Sequence, residues 1–161
     1  MKTLVISAFP ACGKSYATDK LRKKGYKVLD SDSSQFSWIK DDNGNKVRNP
    51  NFIKDYIKHI KDNIGLVDII FVSSHKDVRQ ALKDDSINYA MVIPRITCKD
   101  SWIGRCWLRG NDNNFIKLLN DNWENWLLEI IDEKPFDMIC HLDYNEYIMD
   151  IINVLNTCIK N

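Results

Sequence analysis

The sequence predicts an α/β fold in which helices cover both faces of a five-stranded parallel sheet, giving three layers. The first observation is that five strand-length apolar runs alternate with amphipathic segments of helical period. In chain order the runs are TLVIS, KVLD, VDIIFVSS, INYAMVIP and FDMICHL. The second observation is a glycine-containing loop, AFPACGKS, between the first run and the first helical segment. A length of 161 residues suits a single domain over 1–161.

The loop after the first strand has the pattern of a phosphate-binding loop, G-x-x-x-x-G-K-[ST], except that Ala8 replaces the first glycine. Backbone N–H groups and the following helix start surround phosphate oxygens with positive charge in such a loop. Alanine suits this geometry where its φ is negative. The alternative is a chance match in a surface turn, against which the strand and the helix ending at Gly25 argue. The predicted nucleotide-binding residues are Pro10, Ala11, Cys12, Gly13, Lys14, Ser15 and Tyr16.

The second strand ends in LDSDSS, which puts Asp30 and Asp32 at the edge where open parallel sheets bind ligands. Two carboxylates two residues apart point the same way from a strand. Asp32 is the predicted catalytic base or, with Ser15, a ligand of Mg²⁺, and both carboxylates are predicted to face an acceptor. The alternative is that DSDSS forms an Asx turn or a helix cap.

The third strand lacks the acidic residue that often follows this strand in phosphate-binding-loop proteins. Asp68 lies at the opposite end of the run, and Ser73, Ser74 and His75 come at the ligand-binding edge. We therefore expect magnesium to depend on Ser15 and the Asp30/Asp32 pair. Before this strand, 41–51 reads as a surface loop and 51–64 as a core-facing helix.

A polar and aromatic segment, 95–114, follows the fourth strand and is predicted to be a short helical lid over bound phosphates. Arg105 and Arg109 lie four residues apart and share a helix face. Arginine forks stabilise the charge of a migrating phosphoryl group, so both are predicted to be catalytic. The alternative is a solvated basic helix. Two further apolar stripes, at 115–130 and 147–155, predict helices whose aromatics, Trp126 among them, face the core.

Composition limits the partners and the compartment. Lysine and arginine total 23 against 22 aspartate and glutamate, which disfavours a long nucleic acid and favours a compact anionic ligand. The five cysteines are scattered without a C-x-x-C pair, so we expect reduced thiols and a cytoplasmic protein. The apolar runs are shorter than the roughly 20 residues of a membrane span, so no membrane partner is expected. The oligomeric state stays open, with a homodimer among the options.

These features together resemble the P-loop kinase superfamily that contains adenylate kinase, other nucleoside monophosphate kinases and the deoxynucleotide kinases of bacteriophages. The resemblance is carried by AFPACGKS, by LDSDSS, by the acceptor region around Arg48 and by PRITCKDSWIGRCWLRGN in the lid position. It implies a P-loop NTPase fold and phosphoryl transfer from ATP with Mg²⁺. By this resemblance, Lys14 and Ser15 bind nucleotide phosphate and metal, and Arg105 and Arg109 are lid arginines.

Two kinds of acceptor fit the pattern. A nucleoside or deoxynucleoside 5′-monophosphate is favoured, because Arg48, Arg79 and Arg95, with the lid arginines, supply cations from separate segments. The Asp30/Asp32 arrangement also resembles polynucleotide kinases and zeta-toxin-like kinases, which act on hydroxyl groups. A nucleotide-binding ATPase without an acceptor is the third possibility.

Overall fold

The computed structural model describes residues 2–133 and 138–158, which contain the following elements. The strands are β1 (Leu4–Ala8), β2 (Val28–Asp30), β3 (Trp38–Lys40), β4 (Lys46–Arg48), β5 (Ile69–Ser73), β6 (Ala90–Pro94) and β7 (Met138–Leu142). The α-helices are α1 (Lys14–Lys23), α2 (Phe52–Asn63), α3 (Lys76–Asp84), α4 (Lys99–Leu108), α5 (Asn113–Asp132) and α6 (Ile148–Cys158).

Five of these strands form one parallel sheet in the order β2-β5-β1-β6-β7, which confirms the predicted fold class. The central strand β1 is buried along its whole length, because its neighbours flank it on both sides and helices cover both faces. Phe136 and Asp137 of the run FDMICHL lie outside the described residues. The sheet brings the carboxyl ends of β1, β2 and β5 to one edge.

The helical stripes predicted from the sequence are confirmed as α2, α5 and α6. In α2 the buried side chains are Tyr56, Ile57 and Ile60, which recur at helical spacing. In α5 they are Leu119, Trp123, Leu127 and Ile130. The first helix, α1, stops before Gly25, whose φ of 91° provides the left-handed turn that the sequence suggested.

The region 41–51, predicted to be a surface loop, holds a turn at the surface and also a strand, β4. This strand pairs with β3, just before the region, as an antiparallel hairpin apart from the main sheet. Its turn is built around Asp41, whose Oδ1 accepts hydrogen bonds from the N–H groups of Asn43 and Asn45. Gly44 supplies the left-handed residue of this turn, with φ of 80°. Arg48, around which the acceptor region was expected, therefore lies on β4 of the hairpin, shortly before α2.

No helix within the described residues is both long and apolar enough to span a lipid bilayer. The thiols of Cys12, Cys98 and Cys106 are buried. Burial raises the pKa of the Cys12 thiol to about 12, so this cysteine is an inert part of the core beneath the loop.

Candidate functional site

The loop after β1 has the backbone geometry of a phosphate cradle without its first glycine. Ala8 ends the buried strand β1 and is not among the described residues with positive φ, as the sequence interpretation required. The left-handed positions are Ala11, at 61°, and Gly13, at 90°. Gly13 is also the residue over which the Tyr147 ring packs, since a Cβ added at this position would lie 3.0 Å from Tyr147 Cδ1. Both facts require glycine at position 13.

Contacts from distant segments fix the loop from outside. Each uses a backbone group of the loop: the N–H of Phe9 donates to Val92 O (2.9 Å), Trp102 Nε1 donates to Pro10 O (3.0 Å), Arg105 Nη1 donates to Ala11 O (3.4 Å), and the N–H of Ile148 donates to Cys12 O (3.0 Å). Because the carbonyls are held outward, the amides at the start of α1 are left for a ligand. The residue before α1 is Gly13, so no side chain caps these amides.

Lys14 begins α1 and is half-buried at the mouth of the loop. Its Nζ donates a hydrogen bond to Ala8 O at 3.3 Å, across the space that a phosphate would enter. Burial lowers the pKa of the Lys14 ammonium, while the nearby charges of Asp30 and Asp32 act in the opposite direction. A phosphate would therefore satisfy a partly desolvated cation.

Ser15 has a carboxylate partner, and it is Asp30 rather than Asp32. The Ser15 hydroxyl donates to Asp30 Oδ2 at 2.9 Å. Asp32 caps the short 3₁₀ turn Ser33–Gln35, with Oδ1 accepting from the N–H of Ser34 at 2.9 Å. The cap that we kept as an alternative is thus present at Asp32. Of the Asp30/Asp32 pair, Asp30 is thus the carboxylate next to Ser15, and the predicted role of Asp32 in holding Mg²⁺ stays a prediction.

A cavity of about 650 Å³ opens in front of the loop. It is lined by Lys14, Ser15, Asp30 and Asp32 and by Ser73 to Asp77, from the end of β5 and the start of α3, which we call its floor. Helix α5 adds Phe115, Leu118, Trp126 and Ile130, which we call its apolar wall. Trp126 is half-buried against the core, as predicted, and it also lines the cavity.

The ionised side chains that line the cavity balance in formal charge. The cations are Lys14, Lys76, Arg79 and Arg109, and the acids are Asp30, Asp32, Asp77 and Glu129. The phosphates of a bound nucleoside triphosphate would pair with much of this positive charge. Little positive charge then remains for a second dianionic group.

The charge of Arg79 is balanced by ion pairs with Glu133 and Glu129, so it is not the acceptor-binding cation that we predicted. Its side chain is 4% exposed and forms a fork with Glu133, with Nε to Oε2 at 2.8 Å and Nη2 to Oε1 at 2.6 Å. A further bond runs from Nη2 to Glu129 at 3.0 Å. Arg79 joins α3 to α5 and so fixes the spacing between the floor and the apolar wall.

The other predicted acceptor arginines do not line the cavity. Arg95 is exposed, and its Nε lies 3.4 Å from Asp143 Oδ2. Arg48 lies on the hairpin, close enough to His75 for its charge to matter: burial lowers the pKa of the His75 imidazole, and Lys14, Arg79 and Arg48 lower it further. Neither arginine contributes to the lining of the cavity, and their role in binding an acceptor stays a prediction.

Arg105 is not a lid arginine in this structure. It is buried outside the loop, with its guanidinium between the rings of Trp102, at 3.8 Å, and Tyr147, at 3.9 Å. It also donates to Tyr144 O at 2.7 Å and to Ala11 O. Its partner in the prediction, Arg109, is exposed and lines the cavity. Most of the segment 95–114 is packed helix, and its mobility as a lid stays a prediction.

Sequence reasoning missed Trp102 and Tyr147 as supports of the loop. Both rings hold Arg105, and Tyr147 also covers Gly13. The helical spacing of Trp102 and Cys106 could have indicated a buried face on α4. Nothing in the sequence indicates the approach of Tyr147, which depends on how α6 returns to the loop.

The two arginines should separate stability from turnover. We expect Arg105→Ala to lower the free energy of unfolding by about 2 kcal/mol, because it removes the stacked cation and two hydrogen bonds to buried carbonyls. Arg109→Ala should leave unfolding unchanged and lower turnover, because its side chain lies at the cavity. Urea denaturation and steady-state kinetics of both variants test this. Equal unfolding curves for the two variants would contradict the role given to Arg105.

Comparisons with known proteins support the fold. No protein-family profile matches the sequence, and no curated protein matches it in sequence. Among solved structures, a gluconokinase from Sinorhizobium meliloti 1021 is similar, with a TM-score of 0.55 over 96% of this chain and 89% of that chain, at 11% sequence identity. An identity this low shows the fold alone: a parallel α/β sheet with crossover helices, like that of this gluconokinase.

Proposed function

We propose that the protein is an ATP-dependent kinase that transfers a phosphoryl group to a hydroxyl of an acceptor bound in the cavity. The observation that carries this proposal is one cavity lined by two kinds of group. Lys14, Ser15 and the α1 amides offer phosphate and metal contacts, and the apolar wall on α5 offers a second binding surface. This surface gives space for an acceptor in the same cavity as the donor phosphates, and the likeness to a gluconokinase supports the kinase reaction class.

The residues divide the work of phosphoryl transfer. The α1 amides and Lys14 would bind the donor phosphates and stabilise the charge that develops on the migrating group. Ser15 and Asp30 would hold Mg²⁺, whose remaining ligands are phosphate oxygens and water; the ion neutralises donor charge. Arg109, the residue after α4, would contact the phosphoryl group during its transfer.

Asp32 would act as the base toward an acceptor hydroxyl. It lines the cavity, and its Oδ1 is held by the Ser34 N–H. Its Oδ2 has no hydrogen-bond partner among the described residues. A carboxylate oriented in this way can accept the proton that the hydroxyl loses as its oxygen bonds to phosphorus. The balanced charge of the cavity and the neutralised Arg79 favour this neutral acceptor group over a monophosphate.

A nucleoside or deoxynucleoside monophosphate is the second candidate, and one observation favours it. Arg109 lines the cavity and Arg48 acts electrostatically on His75, which also lines it. These two arginines could hold an acceptor phosphate between them. Such an acceptor needs cations more than it needs a base.

Asp32→Asn distinguishes the two acceptors. Asparagine keeps an oxygen for the Ser34 cap, so the fold should be retained. For a hydroxyl acceptor we expect turnover to fall by about 10²- to 10⁴-fold, since the base is lost. The assay measures ADP release with ATP, Mg²⁺ and a panel of nucleosides, nucleoside monophosphates and 5′-hydroxyl oligonucleotides. Turnover of monophosphates alone, little changed by Asp32→Asn, would replace the hydroxyl proposal with the second candidate.

A further inference from the structure

One face of the hairpin carries an aromatic ring and three cations. The register of β3 and β4 pairs Trp38 with Arg48 and Lys40 with Lys46. Because side chains alternate along a strand, these four residues share a face, while Ile39 and Val47 share the other. All four are exposed, and Trp38 keeps 42% of its surface accessible. We call Trp38, Lys40, Lys46 and Arg48 the cationic face.

Repulsion between the positive charges of the cationic face lowers the stability of the hairpin. Lys40 and Lys46 stand directly opposite each other, and like charges at such positions destabilise a strand pair. No member of the face forms a salt bridge within the described part of the chain. The two acids of the hairpin, Asp41 and Asp42, lie in its turn, where Asp41 is engaged with backbone amides. An isolated two-stranded hairpin has little stability to spare, so an anionic ligand would relieve this repulsion.

Two cations of the face already lie over the Trp38 ring. Lys46 Nζ is 5.1 Å from the ring centroid, and the Arg48 guanidinium carbon is also 5.1 Å from it. A ring bordered by cations is the arrangement that takes a nucleobase by stacking and the adjoining phosphates by charge. Phe36, the other aromatic of this region, is packed on Tyr56 and His59 and does not offer such a surface.

The hairpin is fixed to the wall of the cavity. Ser37, just before β3, donates through its hydroxyl to the carbonyl of Ser33, which lines the cavity. Asn49, just after β4, donates its N–H to Ser37 O at 3.0 Å and its side-chain amide to Phe36 O at 2.9 Å. The cationic face therefore begins close to a residue that lines the cavity.

We propose that the cationic face binds single-stranded nucleic acid, whose terminal 5′-hydroxyl nucleotide enters the cavity and whose next nucleotides lie over Trp38, Lys46 and Lys40. Lys46 and Arg48 are two residues apart, or about 7 Å along the strand, which is comparable to the spacing of successive phosphates. A mononucleotide has one phosphate and cannot occupy this face while its hydroxyl lies at the loop. The direction of the strand rests on the proposed hydroxyl acceptor, whereas binding at the face does not.

The neutral charge of the whole chain does not argue against a short strand. A ligand of a few nucleotides contacts a few phosphates, so the local sign of charge decides its binding. The expectation that long nucleic acid is disfavoured was drawn from the total charge, and the cationic face is a local exception to that total.

Binding of a fluorescein-labelled hexathymidylate with a free 5′-hydroxyl, measured by anisotropy without ATP, tests the proposal. We expect Trp38→Ala and Lys46→Glu each to weaken binding about tenfold or more, and Lys46→Glu to reduce its salt dependence. Lys20→Glu, the same charge change on the exposed face of α1, is the matched control and should have little effect. Circular dichroism checks that each variant folds.

The remaining outcomes separate this proposal from the proposed function. Lys14→Ala should abolish transfer and retain hexathymidylate binding. Unchanged binding in both hairpin variants would overturn the nucleic-acid proposal, even with full transfer to a nucleoside. Thymidine 5′-monophosphate binding as tightly as the hexamer would overturn it as well, because the face would then hold a mononucleotide. If the hairpin variants weaken hexathymidylate binding but the protein transfers no phosphoryl group to any hydroxyl, the proposed function is overturned and the nucleic-acid site still stands.

Discussion

Lys14→Ala is expected to lower phosphoryl transfer by about a thousandfold or more. Its ammonium group lies at the mouth of the loop, 3.3 Å from Ala8 O, where donor phosphates would replace that carbonyl as its partner. Removing it takes away charge that would be most useful when negative charge spreads over the transferring group. The measurement is ADP release at saturating ATP, Mg²⁺ and acceptor.

The same substitution should leave folding intact. Burial lowers the pKa of Lys14, so the folded chain disfavours its charged form and loses no electrostatic stability when the charge is removed. We expect the free energy of unfolding to change by less than about 1 kcal/mol. Lys20→Ala, an exposed lysine on the same helix, is the matched control and should keep full turnover. A folded Lys14→Ala protein with near wild-type turnover would falsify the assignment of this loop as a catalytic phosphate site.

The fold and the loop could be predicted because they depend on local pattern. Buried parallel strands require continuous apolar runs, so each strand of the main sheet is visible in the sequence. The loop follows from the order of strand, Gly13-Lys14-Ser15 and helix, and the replacement at Ala8 is tolerated because that residue still belongs to β1. Asp30 and Asp32 reach the cavity because the end of β2 lies at the ligand-binding edge.

The roles of Arg79 and Arg105 could not be predicted from the sequence, because their partners are distant along the chain. Arg79 is paired with Glu133, 54 residues away, and Arg105 is held by Tyr144 and Tyr147. Spacing places a residue on a helix face and does not say whether that face meets acids, rings or a cavity. Arg105 and Arg109 are four apart, yet one is buried behind the loop and the other is exposed at the cavity.

The hairpin was missed although its signal is present. Asn43-Gly44 is a strong turn pair, and strand-forming triplets, WIK at Trp38–Lys40 and the alternating KVR at Lys46–Arg48, flank the turn. Both strands have only three residues, and the turn between them is polar, so the region resembled a loop. The cavity contact of Trp126 was missed for a different reason: the apolar stripe of α5 is wide enough to pack against the core and also to line the cavity.

Arg79→Met is expected to lower the free energy of unfolding by about 3 kcal/mol at neutral pH. The substitution keeps the apolar stem and removes the fork to Glu133, leaving that carboxylate, 19% exposed, with Lys83 as its remaining cation. It also breaks the bond to Glu129, so α3 and α5 lose their shared cation. Lys58→Met is the control: its pair with Asp62 is exposed, at 72% and 57%, and should contribute at most about 0.5 kcal/mol.

The effect of Arg79→Met should depend on pH with a definite sign. Burial alone would raise the pKa of the Glu133 carboxyl, but the hydrogen bonds and charges of Arg79 and Lys83 outweigh it and hold that pKa below the usual 4.5. A depressed pKa in the folded state gives stability that is present above the unfolded value and lost as pH falls through the folded one. The difference in unfolding free energy between wild type and Arg79→Met, from urea curves at several pH values, should therefore be constant above about pH 5.5 and shrink below 4.5. A difference that persists undiminished in acid would show that Arg79 stabilises the α3–α5 junction by packing rather than by its charge.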